Sequence, residues 1–358
     1  MAVSASDSPR ASGADRCSAW LLRRHATDDA SAAADPYLPP AGKVFTGVTA
    51  GFDVDDFVAR TGKHPAIWQH FIAWGSPYQY TLENSRDARA RVMYHLGTSK
   101  GQNLPERLSP GEIARGEGDR FLVALTRDLA AVGAPVYMRL LGEMNNCNNP
   151  YAAYSCGGGR RDRDHSARVF KQAWKRVYLI MHGGDVAAID ARLAGLRLPG
   201  VQARARTLPP PQIAFVWAPM TGGAPNIAAL RPGAYWPGSK WVDWVGTSFY
   251  SRFPNFVGLQ RFYKDFAVRK RKPFAIAEWA IWGADAPAFA SRLFGWIAGH
   301  RLVRMVHYNQ GAQRGGIFRL SRYPASARVV RDRLRQARYL GYAPFSSAAR
   351  SDSRSSRP

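Results

Sequence analysis

Eight short apolar runs recur along the chain, at Val44–Gly51, Ala66–Gly75, Arg91–Thr98, Pro135–Asn145, Ile213–Met220, Val242–Tyr250, Phe274–Gly283 and Val303–Gln310. Their length and their flanking turn residues suit buried strands. Most are separated by amphipathic helical patterns, at Val54–Arg60, Gly111–Val132, His165–His182, Phe256–Arg269, Ala286–His300 and Ser326–Tyr339. In Gly111–Val132 the apolar positions Phe121, Leu122, Leu125, Leu129 and Val132 keep the helical period. Alternation of strand and helix predicts a parallel sheet with helices outside it. Eight strands predict an α/β fold closed as a single (β/α)8 TIM barrel rather than an open doubly wound sheet, and no glycine-rich dinucleotide fingerprint follows the first run. Two segments lack a pattern, the polar Pro77–Ala90 and the Arg- and Pro-rich Leu196–Pro211. Both are expected as irregular excursions around the barrel.

The barrel is expected over residues 43–340. Residues 1–42, rich in Ala, Ser, Asp and Pro, read as a disordered leader or linker, and 341–358 as a disordered basic tail. The longest apolar stretch of the leader, Ala19-Trp20-Leu21-Leu22, is too short for a signal-peptide core. No run approaches the roughly 20 apolar residues of a membrane-spanning helix.

Composition narrows the class. Of 358 residues, 46% are hydrophobic and 12% aromatic, which excludes a wholly disordered chain. The balance of 50 basic against 26 acidic residues gives a net charge of +24. Ten arginines against Asp332 and Asp352 lie between Arg319 and Arg357, and a second cluster is Arg269-Lys270-Arg271-Lys272. No nucleic-acid motif accompanies the charge, so nucleic acid is not the expected partner, while binding to anionic polymers stays open. Of the three cysteines, Cys147 and Cys156 close a short polar loop, either as a disulfide, which would imply an oxidising compartment, or as two thiols. The disulfide is the expectation. A zinc site there would lack further ligands beyond His165. No cofactor is expected.

In a barrel the chemistry collects at the C-terminal strand ends. The fourth run carries Arg139 and ends Gly142-Glu143-Met144-Asn145, and the seventh ends Ala277-Glu278-Trp279-Ala280-Ile281-Trp282. A glutamate at the end of an apolar run is costly unless it is paired or used. Two of them, with aromatic residues at other strand ends, suit glycoside hydrolysis, in which one carboxyl protonates the departing oxygen and the other attacks or activates water. Strand alternation predicts that Glu278 faces inward and that Trp279 turns to the helices. Trp74, Trp217 and Trp282 are expected as sugar-stacking platforms, and His307 as a structural histidine. Asp53, Asp55 and Asp56 are read as charge at a helix N-terminus, with Asp162, Asp164 and His165 before another helix.

Over roughly residues 44–320 the chain resembles the family-26 glycoside hydrolases, best known as β-mannanases. The likeness runs through Gly47-Val-Thr-Ala-Gly51, Arg139…Glu143-Met144-Asn145 and Tyr235-Trp-Pro237-Gly238…Val242-Asp243-Trp-Val245-Gly246…Tyr250. The resemblance implies a retaining, endo-acting hydrolase of β-1,4-mannan, with β-xylan or mixed β-glucan behind it. It gives Glu143 as acid/base, Glu278 as nucleophile and Tyr250 as the tyrosine contacting the nucleophile. The substrate-binding set expected around them is Trp74, Arg139, Asn145, Tyr151, Trp217, Tyr250, Trp282 and Tyr308. A polysaccharide substrate, a monomer and a secreted or cell-surface location go with this reading. The chain departs from the family's pattern where Gly142 replaces the histidine before the acid/base. It departs again at Asn146-Cys147 after that motif, at Glu278-Trp279-Ala280 in place of Glu-Phe-Gly, and at Tyr308 for a tryptophan. A non-catalytic carbohydrate-binding barrel is the alternative.

Overall fold

The computed structural model describes residues 35–51, 54–311 and 316–344. All eight apolar runs form parallel strands: β1 (Val44–Thr49), β2 (Ile67–Ala73), β3 (Arg91–Gly97), β4 (Val136–Leu140), β5 (Ile213–Trp217), β6 (Trp244–Tyr250), β7 (Phe274–Ala280) and β8 (Val303–Asn309). Neighbours in sequence are neighbours in the sheet, and β1 pairs with β8 from Phe45↔Met305 to Thr49↔Asn309, so the sheet closes into a single barrel. Closure removes both sheet edges.

The outer layer is α1 (Asp55–Thr61), α2 (Gln79–Asp87), α3 (Pro110–Arg115), α4 (Asp119–Ala131), α5 (Ala167–Met181), α6 (Val186–Gly195), α7 (Phe256–Phe262), α8 (Pro287–Ala298) and α9 (Pro324–Leu334). Helix α2 corrects the expectation of an irregular Pro77–Ala90. Its inward residues are polar: Thr81 Oγ1 lies 2.7 Å from the Tyr94 hydroxyl, and Ser85 Oγ lies 2.8 Å from His70 Nε2. A helix that buries hydroxyls has no apolar stripe to read. The Gly111–Val132 pattern splits into α3 and α4 at Gly116, whose φ of 98° a side chain would resist and where a Cβ would meet Arg176 Nη2 at 2.5 Å. Helix α6, which has no counterpart among the expected helices, starts from Asp185, whose carboxylate accepts from Ala188 N at 2.9 Å.

The barrel interior has two tiers. At the base Phe45, Met93, Tyr137, Trp244 and Met305 pack in one apolar cluster. Arg91 closes that end by donating to Pro36 O at 2.6 Å and to Pro344 O, while the Tyr137 hydroxyl donates to Tyr37 O at 2.8 Å. Described residues on both sides of the expected 43–340 boundaries therefore pack on the barrel floor. The upper tier is polar, with Thr49, Gln69, Arg139 and His307 all buried.

The irregular segment after α6 is held from beneath by a buried ion pair. Arg176 Nε donates to Asp119 Oδ1 at 2.8 Å, Arg176 also donates to Pro199 O at 2.6 Å and Gly200 O at 2.8 Å, and Gln202 N donates to Asp119 Oδ2 at 2.7 Å. Truncating one partner leaves a buried charge unpaired. Asp119→Ala is therefore expected to cost about 3–5 kcal/mol in urea unfolding. Arg115→Ala, which breaks the exposed pair to Asp164 at 2.9 Å, should cost at most about 1 kcal/mol. Equal losses would show that the buried pair does not anchor this segment.

Candidate active site

Glu143 leaves β4 through a turn in which Leu141 and Glu143 both take left-handed backbone, with φ of 44° and 54°. Such φ values are uncommon for side chains of this size and persist only where the surroundings enforce them. Here they do: Leu141 N donates to Leu96 O and Glu143 N to Ala218 O, both at 2.8 Å, tying the turn to the ends of β3 and β5. Asn149 Nδ2 donates to Glu143 O at 2.9 Å, and the Tyr151 hydroxyl to Gly142 O at 2.5 Å. Asn145 accepts from Met220 N at 2.9 Å and donates to Gly222 O at 2.6 Å and Leu230 O at 3.1 Å. Asn145 and Tyr151, expected on the substrate, are thus spent on holding the loop, buried behind the carboxyl. Cys147 and Cys156 form a disulfide that closes the same loop.

Glu278 reaches the interior by a different device. Along β7, Ala275 and Ala277 face inward with the apolar cluster, so strict alternation would send Glu278 outward. One extra residue in β7 shifts its register against both β6 and β8, pairing Thr247↔Ile276 but Ser248↔Glu278. This bulge turns Glu278 inward and Trp279 outward, against Phe294 and Tyr308.

The two carboxyls meet at Arg139, which is fully buried. Its Nη1 donates to Glu278 Oε2, its Nη2 donates to Ser248 Oγ at 2.8 Å, and Nη2 lies 4.0 Å from Glu143 Oε1. Glu278 Oε1 also accepts from the Tyr250 hydroxyl and from Asn309 Nδ2 at 3.0 Å. Three donors, one of them charged, thus hold the Glu278 carboxyl. Glu143 is held by Asn146 Nδ2 at 3.0 Å and by Ser248. Burial, and then the charge of Glu278, push its pKa above the ordinary carboxyl range against the pull of Arg139. Burial and the two carboxylates drive the Tyr250 phenol far up, which keeps it a donor. Below Arg139, burial and the guanidinium charge drive His307 well down. It is held neutral, 3.0 Å from Thr49 Oγ1.

Two expected platforms, Trp74 and Trp217, and the expected substrate contact Tyr308 do not face the cleft. Trp74 is buried, donates to Gly118 O at 3.2 Å and packs on Phe121. Trp217 is buried among Trp236, Phe262 and Phe266. Tyr308 is buried against Phe57 and Trp279 and donates to Phe318 O at 2.7 Å. All three point from strand ends toward the helices. Trp282 is half-buried, edge-on to Tyr250 and beside Phe318 and Phe253. Two exposed aromatics at the strand ends escaped the sequence reading. Phe71 is 42% exposed and continues the inward set Ile67 and Gln69, resting on His95, and Phe253 is 61% exposed just past β6. Counting alternate positions from Gln69 would have chosen Phe71 over Trp74.

Among the described residues no group of His, Cys, Asp and Glu could hold a metal ion, and no helix is long and apolar enough to cross a membrane. Asp55 and Asp56 stand in the first turn of α1; Asp53 lies outside the described residues. Before α5, His165 Nδ1 lies 2.6 Å from Asp162 Oδ1, and its Nε2 contacts Glu106.

No family model matches the chain, and no curated protein matches it in sequence. Solved structures match in fold. The YdhT protein from Bacillus subtilis is 16% identical, over 82% of this chain and 86% of its own, with a TM-score of 0.54. An endo-β-1,4-mannanase double mutant from Cellulomonas fimi is 13% identical over 85% of this chain and 75% of its own, with a TM-score of 0.59. A β-mannanase of glycoside hydrolase family 26 from Bacteroides ovatus is 12% identical over 84% and 91%, with a TM-score of 0.52. These likenesses establish the barrel.

Because the charge of Glu278 helps to raise the Glu143 pKa, Glu278→Gln is expected to lower it. It removes the repelling charge and frees Arg139 for Glu143, while burial stays the same. Carbon-detected NMR titration of labelled glutamate reads the change directly. A Glu143 pKa that rises or stays fixed would show that the two carboxyls are not coupled.

Proposed function

We propose that the chain is a retaining, endo-acting glycoside hydrolase that cleaves a β-linked polysaccharide, with β-1,4-mannan as its substrate. One arrangement carries this reading: two glutamates at the ends of β4 and β7, joined by one guanidinium, one held under three hydrogen-bond donors and the other buried with a raised pKa. Glu278, under three donors, is the nucleophile, and Glu143, buried with a raised pKa, is the proton donor. A retaining pair stands about 5–5.5 Å apart, and a shared guanidinium supports a close pair.

In the first step Glu278 attacks the anomeric carbon from one face while the Glu143 proton passes to the glycosidic oxygen. The bond from carbon to leaving oxygen breaks and a glycosyl ester remains. In the second step ionised Glu143 takes a proton from water, whose oxygen displaces the ester and regenerates the Glu278 carboxylate. Tyr250 and Asn309 fix the attacking carboxylate, and Arg139 balances the charge throughout. Trp282, Phe71 and Phe253 supply the apolar surface on which sugar faces stack. The mannan assignment rests on the motif resemblance and on the mannanase activity of the fold neighbours. The disulfide supports an oxidising, extracellular location.

Glu278→Ala should lower turnover by on the order of 10⁴-fold with every leaving group, because no glycosyl ester can form. Glu143→Ala should slow natural mannan by about 10²–10⁴-fold while sparing the first step on activated aryl glycosides, with azide restoring the second. In the wild type, kcat/KM should fall as pH rises through the Glu143 pKa, since the ionised form has no proton to give. Normal hydrolysis of mannan by either alanine variant would remove these glutamates from the mechanism. Retained mannan binding without hydrolysis by the wild type would establish the carbohydrate-binding alternative.

A further inference from the structure

The basic cluster of the sequence and much of the net charge play no part at the carboxylate pair. One place gathers several of these cations around a cavity. Helix α7 continues into a wider π-type turn, Tyr263–Val268, and between this helix and α8 lies a groove of about 820 Å³. Its apolar lining is Phe256, Val257 and Trp296, with Val257 73% exposed. Arg261, Lys264 and Arg292 line it without a carboxylate partner among the described residues, while Arg269 pairs with Asp265 at 2.8 Å. The run Arg269-Lys270-Arg271-Lys272 leads away from one end.

A groove with three unpaired cations and one neutralised acid is complementary to a string of negative charges. Its volume suits a few linked sugar units rather than the broad face that a nucleic-acid duplex buries. Single-stranded nucleic acid binds by stacking bases on open aromatic faces, and these are covered: Arg292 lies over Phe256, 4.2 Å from its ring centre, and His300 stacks on Trp296 at 4.0 Å. Arginine forks match the planar carboxylates of acidic sugars bidentately, as they match phosphates. We propose that the α7–α8 groove docks an acidic polysaccharide through its carboxylates, as a binding site separate from the carboxylate pair at the barrel mouth.

The full chain carrying Glu278→Ala is titrated calorimetrically with oligogalacturonate, so that binding is read whether or not the protein hydrolyses any glycan. The expected result is saturable binding. Combining Arg261→Glu with Arg292→Glu should weaken it about tenfold or more. The control pair Arg120→Glu and Arg127→Glu on α4, an equal change in net charge at exposed positions, should weaken it less than about twofold. Circular dichroism confirms that both variants fold. Equal weakening in the two variants would assign the binding to bulk charge and overturn the proposal. So would absence of binding at about 50 mM salt. Tighter binding of a heparin oligosaccharide or single-stranded DNA, lost with the same two arginines, would likewise overturn the carboxylate-glycan assignment.

Discussion

A guanidinium buried at the top of the barrel organises everything above it. Arg139 has no access to water, and a charge so placed is tolerated only when counter-charges and hydrogen bonds surround it. Glu278 and Glu143 provide the charge and Ser248 a further acceptor, so one buried cation gathers the ends of β4, β6 and β7. The same requirement accounts for Gly142, which stands where the resembled family has histidine. A Cβ at that position would meet Arg139 Nε at 2.7 Å. With the guanidinium in this place, the residue before Glu143 can carry no side chain without displacing it.

The difference between the glutamates follows from how each is delivered. Glu278 comes in on a bulged strand among three donors. Glu143 rides on a left-handed turn that lifts it off β4, where burial and the charge of Glu278 raise its pKa against Arg139, Ser248 and Asn146. Two carboxyls of identical chemistry thus acquire different surroundings from backbone geometry and hydrogen-bond supply. The loop that carries Glu143 spends its polar side chains on backbone groups of its own and of the segment after β5. Asn145, Asn149 and Tyr151 hold backbone groups, and the disulfide closes the loop at Cys156. A turn with two left-handed side-chain residues needs that degree of restraint.

Beneath the site the polar tier and the apolar base divide the labour of the interior. Phe45, Met93, Tyr137, Trp244 and Met305 fill the lower barrel, while Thr49, Gln69 and the neutral His307 stand under Arg139. A charged histidine there would repel the guanidinium, and burial prevents it.

The sequence by itself determined the barrel, because eight apolar runs alternating with helical stripes leave few other ways to bury both faces of every strand. It also singled out Glu143, Glu278 and the cysteine pair, since glutamates ending apolar runs and cysteines nine positions apart stand out without any coordinates. Which way side chains point at the strand ends was decided only in three dimensions. The expected inward Glu278 and outward Trp279 are found, but a bulge in β7 delivers them rather than plain alternation, and Glu143 lies beyond a turn of left-handed backbone that alternation does not describe. Trp74, Trp217 and Tyr308 turn to the helices, and Phe71 rather than Trp74 continues the inward set of its strand. Helix α2 stayed hidden because its inner face buries Thr81 and Ser85 rather than apolar side chains, and hydrophobic periodicity reports only the apolar part of packing.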